Sequence, residues 1–523
     1  MEYSVIFGQF FSYVSLTFGT FFFLYACKYY FSIILVLFTN RKSASQLKKK
    51  GAKLLGAINN ELSKDSPYNK EDNNNATNHD SNKIIEPFIS IHLPFYNEKN
   101  EARRIIEACQ EIHYKNFEII VADDSRDETI DIIKKMNIKK ESPKIKIIHR
   151  NDRSGFKGGA LQNATKYMNP KAKYVVIFDA DFIPPPDILK RFLWYFQREI
   201  DGIYQGPIEK KIGIKHRYGN DYPKLFRDVE GNLKGQNEKL LDRVDNWYIQ
   251  RKIGVVQGYQ LHHLNKNENW ITKGIRAEFS GGYMIERVAQ ELFGSMKMIT
   301  GSVFMIRTEI LKNLGWSHSI TEDWDLTLRM YLKGYKVLYT PLIQAPAEIP
   351  TTIRALYKQR MRWAEGHTFA VKKYFMEILG SHNITNREKL EFIYYAPYYL
   401  QSLLLFLGTI FWFAAEFLGE HPLFWSAHLG WSLVISNFIA LPLMNLTGLF
   451  LEQTSKEDFS GVFSFIVLTY LLTPFQAYAA LKGLFAKQEG NWVRTHKTGR
   501  ITENILRIRI RRFLNARARR RKN

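Results

Sequence analysis

Tyr174-Val175-Val176-Ile177-Phe178-Asp179-Ala180-Asp181-Phe182-Ile183-Pro184-Pro185-Pro186 is the stretch on which the fold turns. Tyr174 to Phe178 is short, apolar and rich in β-branched residues, the pattern of a buried strand. Asp179 and Asp181 follow at its carboxyl end, and three prolines stop the strand and stiffen what comes next. In open α/β sheets, ligands bind outside the carboxyl ends of strands, so a site belongs here. Two carboxylates one residue apart at the mouth of a buried strand repel unless something neutralises them. Their oxygens suit Mg2+ or Mn2+, and a cation with so few protein ligands normally also holds substrate phosphates. The bland alternative is a strand ending in a solvated Asp-rich turn.

Strands and helices alternate on the amino side of this stretch. Phe88–Leu93, Phe117–Ala122 and Lys144–His149 read as strands. Helices follow to about Ile112, over Glu128–Met136 and over Gly155–Met168. This alternation implies a parallel sheet covered on both faces, with Asn97, Asp123 and Asp179 along one edge because each ends a strand. Beyond the prolines, Ile253–Tyr259 and Met298–Arg307 read as strands. Ile320–Leu332 reads as a helix with Thr321 placed to cap it, and 352–376 as a basic, aromatic helix. Residues 207–250 are charged, without periodicity, and read as an insertion.

The flanks belong to a membrane. Residues 4–38, 394–417, 423–450 and 460–481 are long apolar runs, and a bilayer core needs about 20 such residues per helix. The first run is too long for a cleaved signal peptide and lacks a basic n-region. The net charge is +23. Arg41, Lys42, Lys48, Lys49, Lys50 and Lys53 follow the first run, and 501–523 sets nine Arg or Lys against Glu503. Basic residues beside a span mark the cytoplasmic side, where each is worth roughly 1 kcal/mol near anionic lipid. Lipid is therefore the expected partner of these charges, and no nucleic acid is expected. Cys27 and Cys109 offer neither a disulfide framework nor a metal cluster.

The organisation expected is a membrane helix at 1–40, a basic amphipathic helix and linker at 41–86 (the linker at 65–83) and an α/β domain at 87–350. Interfacial helices at 351–390, membrane helices at 391–486 and a loop with a basic tail at 487–523 follow. One difficulty stands. Three full crossings after the α/β domain place the basic tail on the wrong side. Either one run is interfacial or re-entrant, or one splits in two, or the charge rule fails.

Several other clusters carry chemistry. Asp123-Asp124-Ser125-Arg126-Asp127 ends a strand, where carboxylates can accept from a base or ribose hydroxyl, or form a polar turn that caps the next helix. His149–Ala160 joins basic residues to three glycines before a helix, a place that favours anions; it lacks the Gly-Lys-Ser/Thr order of a Walker loop. Thr321-Glu322-Asp323-Trp324-Asp325 puts three acids at a helix start, where acids are also favoured for electrostatic reasons alone. At most two of them can face Asp179 and Asp181. Gln359, Arg362 and Trp363 share a helical face, offering an amide, a cationic fork for phosphate and an indole for a sugar ring. An amphipathic helix at a membrane interface carries the same residue types.

In this order the motifs resemble those of membrane-embedded family 2 glycosyltransferases, the cellulose synthases and cellulose-synthase-like mannan and glucomannan synthases. The resemblance runs from Leu93 to about Gly499. It rests on Leu-Pro-Phe-Tyr-Asn-Glu (93–98), Asp-Asp-Ser-Arg-Asp-Glu-Thr (123–129), His149–Leu161, Asp-Ala-Asp (179–181), Val-Val-Gln-Gly (255–258), Thr-Glu-Asp (321–323), Gln-Arg-Met-Arg-Trp (359–363) and Trp-Val-Arg-Thr-His-Lys-Thr-Gly (492–499). It implies an α/β GT-A catalytic domain, Rossmann-like with a mostly parallel sheet, beside α-helical membrane segments. Carried over residue by residue, it implies nucleotide contacts at Asp123, Asp124, Asn97, Lys157 and Arg153. It implies a metal, Mg2+ or Mn2+, at Asp179 and Asp181. It implies a base at Asp323 beside Glu322, and acceptor and diphosphate contacts at Gln359, Arg360, Arg362 and Trp363. It also implies a gating loop with Trp492, Arg494, Thr495 and Lys497. The expected donor is a nucleotide sugar of the UDP-glucose or GDP-mannose class, and the acceptor is a polysaccharide or a lipid. The expected location is the plasma membrane, with the catalytic domain cytoplasmic. Val-Gln-Gly-Tyr stands where the family more often has Gln-x-Arg-Trp, and the insertion at 207–250 is a further departure.

Overall fold

The computed structural model describes residues 2–64, 86–136, 143–204, 253–421 and 427–502, with backbone only for 2, 39–64, 197–204 and 427–431. The linker expected at 65–83, the insertion at 207–250 and the tail beyond residue 502 lie outside the described residues.

Seven strands form one sheet: β1 (Phe88–Phe95), β2 (Phe117–Asp123), β3 (Lys144–His149), β4 (Ala172–Ile177), β5 (Ile253–His262), β6 (Phe304–Arg307) and β7 (Lys336–Ala347), in the order β3-β2-β1-β4-β6-β5-β7. β1, β2, β3 and β4 run parallel, as do β5 and β7, while β6 is antiparallel to both of its neighbours. Successive side chains on a strand point to opposite faces, so a strand covered on both faces must be apolar throughout. In β4, Tyr174 and Val176 join Ile89, Ile91 and Val121 in one core, beneath Ile105, Ile106, Ile188 and Phe192. Val175 and Ile177 join Ile120 and Phe304 in the other, beneath Ala160, Leu161, Ile310 and Leu328.

The reversed strand matters most for the site. Residues 294–303 are not strand, contrary to the reading of Met298–Arg307, and they enter β6 at the edge where β4 ends. Val303 donates its N–H to Ile177 O at 2.9 Å, and Asp179 donates its N–H to Ser302 Oγ at 2.9 Å. Thr300, Gly301 and Ser302 thereby stand beside Asp179. Thr321 makes no side-chain cap on the helix Glu322–Leu332. Its hydroxyl instead packs over Gly366, where an added Cβ would lie 2.6 Å from it.

Among the described residues, four helices are long and apolar enough to cross a membrane: Tyr3–Phe38, Leu400–Leu418, Ser432–Glu452 and Ser460–Phe485. The first belongs to a single helix, Glu2–Lys64, so the backbone does not break between the apolar run and the basic stretch. Leu400–Leu418 runs outward along it: Phe411 stacks on Phe11 at 5.5 Å, and Gly8 faces Glu420. The helix Ala427–Glu452 comes back, donating from Asn437 Nδ2 to Gly19 O at 3.0 Å and accepting at Ser436 O from Tyr30 at 2.7 Å.

Ser460–Phe485 behaves differently, because its two ends are pinned, one to the segment just after β5 and the other to the helix Ile353–Gly380. Asp458, just before it, meets Lys266 Nζ at 2.8 Å, and Lys482, near its end, meets Glu365 at 2.9 Å. Gly461 and Gly483 press on the carbonyls of Lys273 and Glu365, where a Cβ would lie 2.3 and 2.4 Å away. These contacts hold the helix along the domain at both ends, which fits the interfacial alternative among those left open above; on that alternative Ser460–Phe485 does not cross. The outward and returning helices then form a hairpin, and residues 487–502 emerge on the side of the sheet. Cysteines replacing Glu457 and Lys487, in a background with Cys27 and Cys109 changed to alanine, should react with a membrane-impermeant maleimide from the same side of sealed vesicles. Reaction from opposite sides would refute the pinned arrangement.

Candidate active site

Asp179 and Asp181 leave β4 and hold different lysines. Asp179 Oδ1 lies 2.7 Å from Lys157 Nζ, and Lys157 also meets Glu322 Oε1 at 3.1 Å and donates to Gly301 O at 2.9 Å. Asp181 Oδ2 lies 2.5 Å from Lys497 Nζ, which also donates to Glu348 O at 2.6 Å. The lysines stand 340 positions apart in the sequence and meet at one strand end. Burial opposes the charge on Lys157, but Asp179, Glu322 and Asp323 outweigh it and raise its pKa. Burial lifts Asp179 despite Lys157. At Asp181 burial pushes upward too, but Lys497 wins and the pKa is lowered.

Lys157 sits at the start of the helix Phe156–Tyr167. The glycines there do not form an open anion cradle. Gly155, at φ 70°, faces the His318 ring, and a Cβ on Gly158 would lie 2.1 Å from Ser317 O. Their missing side chains are used by the loop 315–319, which closes over the helix start.

Asp323 occupies the first turn of its helix and accepts from the Trp324 N–H at 2.9 Å. Burial first, then the neighbouring Glu322, raises its pKa to about 7, against the pull of Lys157. Gly301, at φ 74°, leaves room for it: a Cβ there would lie 3.1 Å from Asp323 Oδ2. Glu322 and Asp323 line the same cavity as Asp179 and Asp181. Asp325 turns away to Arg329 and Tyr374, at 2.7 and 2.9 Å.

Gln359, Arg360, Arg362 and Trp363 all line that cavity. Arg360 pairs with Glu278 at 2.6 Å and lies 4.8 Å over the Trp363 ring. Arg362 donates to Ile320 O at 3.0 Å and lies 5.2 Å over Trp492. Trp492, Arg494, Thr495 and Lys497 line it from the far end of the chain. Arg494 holds Glu98 at 2.6 Å, and Arg153 lies between Tyr96 and Trp492, 3.3 and 4.7 Å from their ring centres.

The expected nucleotide residues divide. Asp124, Arg153 and Lys157 line the cavity, with Asp124 accepting from Arg150 Nε and Nη2 at 2.7 and 2.5 Å. Asp123 and Asn97 do not line it. Asp123 binds His149 at 2.8 Å and the Ser125 N–H at 3.1 Å. Asn97, left-handed at φ 58°, accepts from the Arg126 N–H at 2.8 Å. Both brace neighbouring strand ends. Reading the sequence missed Glu348, Arg104 and Glu101. Arg104 pairs with Glu348 at 2.5 Å, and Gly499 N–H donates to the same carboxylate at 3.0 Å. Burial, then Glu98, pushes Glu101 up to about 8. The missed signal is β7, whose carboxyl end presents Glu348.

The cavity holds about 450 Å3. It runs from Tyr96 and Asp124 past both carboxylate pairs and Trp363 to Tyr29, Met444, Asn445 and Leu468 on the apolar helices. Among the described residues, no three His, Cys, Asp or Glu side chains gather as a closed metal site. Asp179 and Asp181 nevertheless offer hard oxygens, which fit Mg2+ or Mn2+ completed by substrate oxygens.

A family model described as "Glycosyl transferase family 2" matches residues 90–315, and one described as "Glycosyl transferase family group 2" matches 237–478. The chain is similar to "Probable glucomannan 4-beta-mannosyltransferase 10" of Arabidopsis thaliana, 25% identical over 424 residues, covering 79% of this chain and 66% of that one. It is also similar to "Glucomannan 4-beta-mannosyltransferase 7" of the same plant, 24% identical over 422 residues, covering 79% and 65%. The chain thus spans about two thirds of the length of these relatives. Among solved structures, it aligns with "Mannosyltransferase PcManGT from Pyrobaculum calidifontis in complex with GDP-Man and Mn2+" at 16% identity and a TM-score of 0.44, covering 87% of this chain and all of that one.

The ion pair that ties the far segment to the site has a measurable strength. Lys497→Met leaves Asp181 buried without its partner, a change worth about 3–5 kcal/mol in buried pairs. The thermal midpoint should fall by several degrees, and adding Asp181→Asn should restore part of the loss. An unchanged midpoint in Lys497→Met would contradict the pairing.

Proposed function

We propose that this chain is a family 2 glycosyltransferase of the membrane-embedded, cellulose-synthase-like type and moves a hexose from a nucleoside-diphosphate sugar onto a growing β-linked polysaccharide with inversion. One observation carries this reading. A single cavity holds Asp179 and Asp181, Glu322 and Asp323, and Gln359, Arg362 and Trp363, and it continues to the apolar helices.

In this reading the nucleotide end of the donor lies toward Asp124, Arg153 and Tyr96. The leaving diphosphate meets Lys157 and Arg362; Asp179 and Asp181 would hold a divalent cation, which would supply further neutralisation of its charge. Asp323 takes the proton from the acceptor hydroxyl as that oxygen bonds to the anomeric carbon and the bond to the diphosphate breaks. One displacement inverts the configuration. Trp363 offers the acceptor ring a flat apolar face, and the membrane helices receive the lengthening product, so that transfer is processive. Gating falls to the 492–497 segment, because Lys497 and Arg494 already join it to Asp181 and Glu98. Mannose from GDP-mannose is the first donor to test, since the curated relatives are named mannosyltransferases; UDP-glucose is the second. The basic stretch after the first apolar run supports a cytoplasmic domain on the plasma membrane. Transfer of one sugar to a lipid is the rival, and Leu468 and Leu472 in the cavity wall favour it.

A purified chain given a panel of nucleotide sugars with Mn2+ or Mg2+ should release nucleoside diphosphate and build a ladder of products. A single lipid-linked sugar would favour the rival. Chelating the divalent cation should abolish release, and adding it back should restore it. Asp323→Asn should cut kcat by about 10²–10⁴-fold and leave the donor KM nearly unchanged; wild-type turnover in this variant would remove Asp323 from its role. The pH dependence has a definite sign. Asp323 must be ionised to accept a proton, so kcat should fall as pH drops through about 7. Glu322→Gln removes a like charge, and the acid limb should move to lower pH. A limb that moves upward, or stays, contradicts the coupling.

A further inference from the structure

His367 lies one helical turn beyond Trp363 on the helix Ile353–Gly380, and it also lines the cavity. It is 5% exposed, yet neither Nδ1 nor Nε2 has a hydrogen-bond partner. Its ring stacks on the indole of Trp324, with centroids 5.0 Å apart and planes 12° apart, and meets Tyr399 edge-on at 5.3 Å. Trp324 follows Asp323, lines the same cavity and is itself 3% exposed, and its Nε1 also lacks a partner. Burial pushes His367 down to about 3, so the ring is neutral, with one N–H donor and one bare nitrogen acceptor. Two donors and one acceptor are therefore buried in the wall of the cavity that Asp323 also lines, without protein partners. Buried polar atoms are costly to leave unpaired, so a ligand or water must meet them. Pyranose hydroxyls each donate and accept, and a sugar ring carries several on one rigid frame. Ceramide keeps only one hydroxyl besides the reacting one, with an amide, on a flexible chain rather than a rigid ring, so it matches this fixed set of partners less well.

We propose that His367 and the Trp324 indole N–H read the acceptor: they hold two hydroxyls of its terminal sugar so that a third faces Asp323, and they select a saccharide end over a lipid alcohol. This rests on the glycosyltransferase reading above. His367 acts as a positioning and specificity residue, since Asp323 takes the proton.

The test uses the purified full chain, a donor that the wild type turns over, and β-1,4-mannohexaose or ceramide as acceptor. His367→Phe keeps an aromatic ring for Trp324 and removes both hydrogen-bonding atoms. His367→Gln restores a donor and an acceptor without the ring. The expected result is an acceptor KM at least about tenfold higher in His367→Phe, with the donor KM unchanged, and substantial recovery in His367→Gln. An unchanged acceptor KM in His367→Phe overturns the proposal, because water alone then meets the ring. Equal damage in both variants, with the donor KM also raised, overturns it in favour of a packing role. Wild-type transfer to ceramide but not to mannohexaose overturns it while leaving sugar transfer standing. No diphosphate release from any nucleotide sugar overturns both.

Discussion

Charge repulsion inside a cleft is the constraint on which the rest of this molecule depends. Glu98, Glu101, Asp179, Asp181, Glu322, Asp323 and Glu348 crowd around the carboxyl edge of one sheet. Unpaired buried charges are among the costliest features a fold can carry. Lys157, Arg104, Arg494 and Lys497 keep the cluster tolerable, each within 3.5 Å of its acids. Two of these cations come from the segment after the last apolar helix. The chain must therefore return to the edge it left, a demand that an even number of crossings between the two would satisfy. The cluster is also not fully neutralised: Asp323 keeps a raised pKa, the property a proton acceptor working near neutrality requires.

The membrane segments and the sheet share one body. Small residues let the backbones approach: a Cβ on Gly448 would lie 2.6 Å from the Ser280 carbonyl carbon, and one on Gly281 would lie 2.1 Å from Asn445 Oδ1. Buried ion pairs lock the register, with Glu452 held by Arg276 and Tyr259, and Asp458 held by Lys266. Tyr259 stands on β5, Lys266 just after it, and Arg276 on the helix Trp270–Gly281 that follows. A shift of the returning helix would thus be felt at the sheet, beside the Thr300–Val303 segment that shapes the space around Asp179. The cavity needs this union, since its two ends belong to different solvents.

Much of this was legible in the letters. The alternation of β1 to β4 with their helices follows from apolar periodicity, and Asp179, Asp181, Glu322, Asp323 and the Gln359–Trp363 face meet as their strand-end and helical positions imply. What stayed hidden was set by long-range partners. β7 contains Pro341 and Pro346, which read as breakers, so Glu348 at its end went unnoticed. Asp123 and Asn97 occupy strand ends as expected, yet their side chains are consumed by His149 and Arg126, partners that no local pattern announces. Glycines 155 and 158 signal a tight helix start in any reading; that the loop 315–319 fills the space is a tertiary fact. Ser460–Phe485 has the composition of a membrane span, and nothing in its own letters announces the ion pairs that fasten its two ends.

Binding is the most direct measure of the central claim that distant cations make this acid cleft a nucleoside-diphosphate site. Titration calorimetry of GDP or UDP with Mn2+ into the intact chain should show saturable binding. Lys157→Gln should weaken it by about tenfold or more, as expected for loss of a charge-assisted contact amid unpaired carboxylates. Equal affinity in the wild type and the variant would mean that the diphosphate does not meet this cluster, and the account would fall.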